Sequence, residues 1–542
     1  MTSSIEKGTL IMNLTLTGIK EKTKWEDAGI RLPKYDIEAM ISRTKKNPTW
    51  VHFGAGNIFR IFLGGIACDL LEAGLMSTGI TCVETFDQEI VDKIYIPFDN
   101  LVLSVMLKAD GGMDKRVLAS LAESLNADRG RLAEIFRNPS LQMASFTITE
   151  KGYALKDANG VYFPWIMEEL LAGPDKATTA MGIVTANLYE RYLAGGYPIA
   201  VVSMDNCAHN GKVLKEAVLT LATEWQRGGL FDDGFIDYLN DEKKVSFPWT
   251  MIDKITPRPD ESIAADLAEI GIENMSPITT EKRTFIAPFV NAEIPQYLVV
   301  EDKFPNGRPE FEKIDGGVYL TEQETVNKVE RMKVTTCLNP LHTALAVYGC
   351  VLGYTLISDA LKDEQLRELV CQIGLVEGMP VVTDPGILTP AEFVSEVINV
   401  RLPNPFIPDT PQRIATDTSQ KVGIRFGETI KSYMAKDGDA KKLKAIPLAI
   451  AGWCRYLLAV DDDGNPFKLS DDPMLDELTA MLADVKVGEP ATYTGQLKPL
   501  LSNASIFAVD LYEAGLGEFI EELFVELIGV GAVRATLVKH VG

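Results

Sequence analysis

The segment TWVHFGAGNIFRIFLGGIACDLLEAG (49–74) constrains the fold more than any other part of the chain. Residues 49–53 form a short apolar run, Gly54-Ala55-Gly56 makes a turn, and apolar residues then recur at helical spacing over 58–72. Strand, glycine turn and helix in that order is the opening of a βαβ unit. A second apolar run at 80–83 ends in Glu84-Thr85-Phe86-Asp87, and further runs lie at 101–106, 143–149 and 199–204, with helical patterns between them. Strands alternating with helices predict an α/β domain built on a doubly wound parallel sheet.

The pattern changes near residue 300. Residues 301–317 are rich in Pro, Gly and charge, as a linker or an exposed crossing would be. Beyond them helical spacing dominates, at 341–352, 363–373, 390–400, 475–483 and 517–530. The apolar stretch 446–460 is interrupted by Arg455 and too short to span a bilayer, so it reads as a buried helix. With 542 residues the chain is long enough for several cores. The expected division is an N-terminal extension (1–44), a Rossmann-type domain (45–302) and an α-helical domain (303–542).

Fifty-three Lys and Arg stand against 76 Asp and Glu, a formal net charge of -23. Such a field repels phosphate backbones and anionic membranes, so neither nucleic acid nor membrane is an expected partner. An anionic small substrate needs its own cationic pocket. The seven cysteines include no CxxC pair, and the histidines (His52, His209, His342, His540) do not accompany a cysteine pair. The expectation is reduced thiols in a cytoplasmic protein and no metal site. The first residues lack the pattern of a signal peptide.

Four constellations bear on chemistry, each with a plainer reading beside it. Gly54 and Gly56 are the first two glycines of a dinucleotide fingerprint, with Phe59 where the third would stand. They would let a pyrophosphate approach the backbone at the helix start, through Asn57 and Ile58, while Asp87, or Glu84 beside it, would bind the adenosine ribose. An ordinary tight turn fits equally. Asn206 follows the run 199–204, where a cleft residue belongs, or it is a polar turn or helix cap. Glu330, Lys333, Asn339 and His342 form the third group, with Asn339 and His342 on one helix face. A lysine whose pKa is lowered can take a hydroxyl proton, and amide donors can hold the oxygen. Alternatively, Asn339 caps a helix begun by Pro340 and Lys333 is a solvated charge. Arg413 and Lys421, two helical turns apart, could orient a polyhydroxy acid or pair with Asp417 on the surface.

Taken in order, LPKYD (32–36), GAGNIFR (54–60), TITEKGY (147–153), SMDN and HNG (203–211), IDKITP (252–257), EDKFPNGRP (301–309), the Lys–Asn–His cluster and NPFIPDTPQRIATDTSQK (404–421) resemble the polyol-specific long-chain dehydrogenase/reductase (mannitol dehydrogenase) family. The resemblance spans nearly the whole chain. It implies a metal-independent NAD(H)-linked oxidoreductase with its active site between a Rossmann-type and a helical domain. Lys333 would be the general base, Asn206 and Asn339 the oxyanion donors, and Glu330 would sit near the proton's route to solvent. His342 and Asp253 would position substrate, and Arg413 and Lys421 would bind distal hydroxyls or a carboxylate.

The implied reaction is interconversion of a keto sugar acid and its aldonate, D-fructuronate and D-mannonate first. D-tagaturonate, or D-fructose with D-mannitol, is the alternative substrate. Two departures stand out: five residues separate Lys333 from Asn339 where the family has four, and Pro340 follows Asn339 where a small residue is usual. They motivate a reading from another class, a catalytically impaired protein that binds NAD(H) and a sugar acid. The sequence leaves the oligomeric state open.

Overall fold

The computed structural model describes residues 11–108, 111–157 and 159–541. The chain divides into two compact units, Met1–Val326 and Asn327–Gly542.

The first unit is organised by a six-stranded parallel sheet. In chain order its strands are β1 (Trp50–Phe53), β2 (Ile80–Val83), β3 (Leu121–Leu125), β4 (Met143–Phe146), β5 (Ile199–Ser203) and β6 (Val245–Ser246). In space they run β3-β2-β1-β4-β5-β6. That order reverses direction at β1, and ligands bind such sheets outside the strand carboxyl ends at the reversal. Side chains alternate between two cores, as the period of two requires. Val51, Phe53, Val83, Ala144, Phe146 and Val201 pack on one side under helices Arg129–Arg137, Ala180–Leu193 and Asn210–Arg227. Trp50, Ile80, Cys82, Met143, Ala200 and Val202 pack on the other with Phe59, Phe62 and Ile66 of the helix that follows the glycine turn.

The run expected at 101–106 is a strand, Val102–Leu107, but it does not join the parallel sheet. It pairs antiparallel with Met113–Leu118 and parallel with Phe289–Glu293 in a separate four-stranded sheet edged by Ile30–Arg31. The connection from Leu107 to Met113 turns through Gly111 (φ +86) and is too short for a parallel crossover. Residues 301–317 connect two strands that pair with each other, Tyr297–Glu301 and Val318–Thr321, in a three-stranded sheet with Thr250–Asp253.

The second unit is helical, and among its described residues the only β pairs are two isolated bridges. Helices Asn339–Val351, Glu364–Cys371, Pro390–Glu396, Leu475–Met481 and Gly517–Leu527 match the expected spacings. Ala445–Tyr456 is buried throughout and packs on Asn339–Val351, where Tyr348 Oη donates to Leu448 O at 2.7 Å. Gly452 permits this approach, since a Cβ there would lie 2.5 Å from the Tyr348 ring. Among the described residues no helix is long and apolar enough to cross a membrane, and no disulfide joins the cysteines.

Arg191 is fully buried in the first unit and its guanidinium donates to the carbonyls of Phe136, Asn138, Leu141, Tyr197 and Pro198. These carbonyls belong to the segments leading into β4 and β5, so one side chain fixes two strand entries. Arg191→Met would leave buried acceptors unmatched and should cost about 3–5 kcal/mol, seen as a fall in the urea midpoint. A midpoint equal to wild type would remove Arg191 from that role.

Candidate active site

In the first unit the two glycines of the turn do different work. Gly54 has φ +111, its N–H donates to Val83 O at 2.8 Å, and a Cβ on it would lie 2.5 Å from Thr147 O. Only glycine fits there. Gly56 is exposed, and a Cβ on it would meet nothing within 4 Å. Packing therefore does not require a glycine at 56, whereas an open backbone beside a helix start suits a pyrophosphate. Asn57 and Ile58 form the first helical turn, both half-buried. Asn57 Oδ1 accepts from Arg60 Nη1 at 3.3 Å, and Arg60 Nη2 donates to the carbonyls of Ala287 and Pro288.

Glu84, at the end of β2, holds the turn itself. One oxygen accepts from Ala55 N at 2.9 Å, and the other from the N–H groups of Phe86 and Asp87. Asp87 is buried; its Oδ2 accepts from Thr280 Oγ1 at 2.6 Å and its Oδ1 has no hydrogen-bond partner. Asp87 thus lies just beyond the second strand, where a dinucleotide fold places its ribose-binding carboxylate, with Oδ1 buried and unpartnered.

At the end of β5, Tyr153 Oη donates to Asp205 Oδ2 and accepts from Ser203 Oγ at 2.9 Å. Burial pushes the Asp205 carboxyl up, against the hydrogen bonds it accepts. Asn206 is exposed at the tip of this turn and does not cap the helix Asn210–Arg227, whose cap position is the left-handed His209. Asn210 Nδ2 donates to Thr250 Oγ1 at 2.9 Å while its Oδ1 accepts from Thr250 N. That pair ties the helix start to the strand Thr250–Asp253, whose last residue, Asp253, is buried.

In the second unit, the helix Gln323–Met332 carries Glu330 and passes into a π-wound turn, Lys333–Cys337, closed by Leu338 N to Lys333 O at 3.1 Å. An i→i+5 turn holds one residue more than an α-turn. Four of the five residues between Lys333 and Asn339 are wound into this turn, and Lys333 is buried, with 8% of its surface accessible. It is not a solvated charge. Leu338 (φ −130, ψ −61) breaks the path and the helix Asn339–Val351 begins, with Pro340 in its first turn. The cap position is Leu338, so Asn339 does not cap this helix. Thr343 Oγ1 donates to Asn339 O at 2.9 Å.

His342 Nε2 lies 3.5 Å from Asp409 Oδ2 and makes no hydrogen bond. Burial lowers its pKa to about 4; Asp409 opposes this, while Arg425, Arg413 and Arg401 add to it. Arg413 is largely exposed and ion-pairs with the other Asp409 oxygen. Lys421 Nζ donates to Thr416 O, and burial with nearby Arg425 lowers its pKa. Neither cation pairs with Asp417 among the described residues. Sequence reasoning missed Asp409, Arg401 and Arg425. Arg425 is one helical turn beyond Lys421, a spacing that would have drawn it in. It donates from Nη1 to Thr343 Oγ1 at 2.5 Å, and burial lowers its pKa to about 10. Among the described residues no three His, Cys, Asp or Glu side chains gather as a metal site would need.

Residues 48–313 match the family model of the mannitol dehydrogenase Rossmann domain, and 325–527 that of the mannitol dehydrogenase C-terminal domain. A D-mannonate oxidoreductase from Thermotoga maritima is 54% identical over 538 residues, covering 98% of this chain and 99% of the relative. A D-mannonate oxidoreductase from Escherichia coli is 28% identical over 490 residues, 88% and 91% of the two chains. Among solved structures, the Pseudomonas fluorescens mannitol 2-dehydrogenase ternary complex with NAD and D-mannitol is similar with a TM-score of 0.69 and 25% identity, over 97% of this chain and 99% of that one.

Two measurements test the local assignments. Gly54→Ala should lose about 2–4 kcal/mol of stability through strain and contact with Thr147 O, whereas Gly56→Ala should keep the wild-type urea midpoint and weaken NADH binding. A Gly56→Ala protein with unchanged NADH affinity would take that residue out of the cofactor site. His342 binds its proton less readily folded than unfolded, so its contribution to stability is complete above pH 6.5 and is lost as pH falls toward 4. The urea midpoint should therefore drop between pH 8 and pH 5 by more in wild type than in His342→Asn. Equal drops would contradict the burial of a neutral ring.

Proposed function

The chain belongs to the mannitol dehydrogenase family, and from that membership we propose that it interconverts D-fructuronate and D-mannonate with NAD(H), without a metal, using Lys333 as general base. It is an NAD-dependent oxidoreductase acting on CH–OH groups. The choice of a sugar acid rests on one observation, the 54% identity over 98% of this chain to a Thermotoga maritima relative named D-mannonate oxidoreductase. D-Tagaturonate shares the carboxylate and stands second; the pair D-fructose and D-mannitol stands third.

When bound, NAD(H) accepts or supplies the hydride at the carbinol carbon. Gly54, Gly56, Asn57 and Ile58 would hold its pyrophosphate, and Asp87 its adenosine ribose. Lys333 takes the hydroxyl proton during oxidation and returns it during reduction. Asn206 and Asn339 donate to the oxygen as its charge develops. Glu330 stands on the proton's way to solvent. Asp253 and His342, the latter a neutral ring above about pH 4, orient the substrate hydroxyls. Arg413 and Lys421 serve the distal end of the sugar.

Loss of NADH absorbance on adding D-fructuronate, D-tagaturonate or D-fructose tests the reaction. The expected result is a clear preference for D-fructuronate; turnover of D-fructose alone would overturn the acid assignment. Lys333→Ala should lower kcat by at least ~100-fold while NADH affinity holds. Wild-type turnover in that variant would exclude Lys333 as the base.

A further inference from the structure

The three most deeply buried guanidinium groups of this chain each hold several acceptors. Arg191 donates to five carbonyls, Arg455 to the carbonyls of Leu527, Val460 and Asp461, and Arg60 to two carbonyls and Asn57 Oδ1. Arg425 differs. It is largely withdrawn from solvent, yet its sole protein acceptor among the described residues is the Thr343 hydroxyl, and it forms no ion pair there. Its remaining nitrogens are not sealed in the interior, so they open onto accessible space. A desolvated, fork-shaped cation with unused donors suits a carboxylate bound through two parallel hydrogen bonds.

The aim of that fork is fixed from the helix that carries Asn339 and His342. Thr343 Oγ1 donates to Asn339 O and accepts from Arg425 Nη1, so the guanidinium is held against the first turn of Asn339–Val351. The neighbouring cations are already engaged: Arg413 with Asp409, and Lys421 with Thr416 O. Arg425, Arg413 and Arg401 all act on the His342 ring, whose Nε2 is buried without a hydrogen-bond partner. We propose that Arg425, oriented by Thr343, binds the carboxylate of the sugar acid and sets the preference for acids over neutral ketoses. This rests on the sugar-acid reading above and moves the carboxylate from Arg413 and Lys421 to a residue outside the motif that suggested them.

The test compares wild type, R425Q, R425K and T343V by calorimetric binding of D-mannonate and by the ratio of kcat/KM for D-fructuronate over D-fructose. R425Q should weaken D-mannonate binding about 100-fold and lower the ratio by a similar factor, as expected for loss of a charge-assisted bidentate contact. R425K should recover part of the affinity, and T343V should lose about tenfold, the scale of one hydrogen bond. A folded R425Q with wild-type D-mannonate affinity overturns the proposal, while wild-type turnover of D-fructuronate leaves the reaction standing. If wild type binds no D-mannonate and reduces only D-fructose, both fall. Should R425Q fail to fold by circular dichroism, unchanged affinity in both R425K and T343V overturns it.

Discussion

A guanidinium taken out of water must find acceptors for its N–H groups, and the deepest arginines of this chain find most of theirs among backbone carbonyls, though Arg60 Nε is left without one. The surplus of acidic side chains makes carboxylates abundant, yet the deepest arginines do not use them. Arg191 gathers the carbonyls entering β4 and β5, so the central strands keep their position because one cation is satisfied. Arg60 joins the helix after the glycine turn to residues 287 and 288, just before the strand Phe289–Glu293. Arg455 closes the end of its helix on the Leu527 carbonyl. Carbonyl pairing holds loops at fixed geometry without burying a second charge, whose desolvation would offset much of the Coulomb gain.

What was legible in the sequence follows from what local pattern can report. The glycine turn, the strands at 80–83 and 199–203 and the helices of the second unit were readable because each shows its own periodicity. Strand partners were not. Val102–Leu107 is buried along most of its length, so its apolar run looks like that of a central parallel strand. Only the short turn through Gly111 reveals an antiparallel partner. Likewise, the polar composition of 301–317 marks an exposed segment but says nothing of the pairing between Tyr297–Glu301 and Val318–Thr321. Composition reports exposure; topology depends on distant partners.

The candidate site divides along the same line. Residue types and spacing led to Asn206, Lys333, Asn339 and His342, but left each open to a plainer reading. Capping geometry removes the cap reading of both asparagines, while Asn206 keeps its place in an exposed polar turn. Burial of Lys333 at the start of the π-wound turn removes the third, its reading as a solvated charge. The altered spacing that motivated an impaired binding protein coincides with this π-wound turn. Arg425 escaped notice because Arg413 and Lys421 already supplied a cationic pair, and nothing in the sequence tells which arginine will be left short of acceptors.

That distinction bears on how an acidic protein can select an acidic substrate. At physiological salt the field of a surface carrying net charge -23 is screened within about 8 Å, so it opposes a sugar acid mainly at the approach. Once water is excluded, nearby charges act through a lower effective dielectric, and a few ångströms outweigh the distant sum. Arg425, its guanidinium held by Thr343 rather than by a carboxylate, keeps a charge that the fold does not compensate with an ion pair among the described residues. An exposed pair such as Arg413 with Asp409 cannot do this as well, since its charge is already compensated and hydrated. On the proposed reading, selectivity for a carboxylate would depend less on how many cations line the site than on which of them the fold leaves unsatisfied.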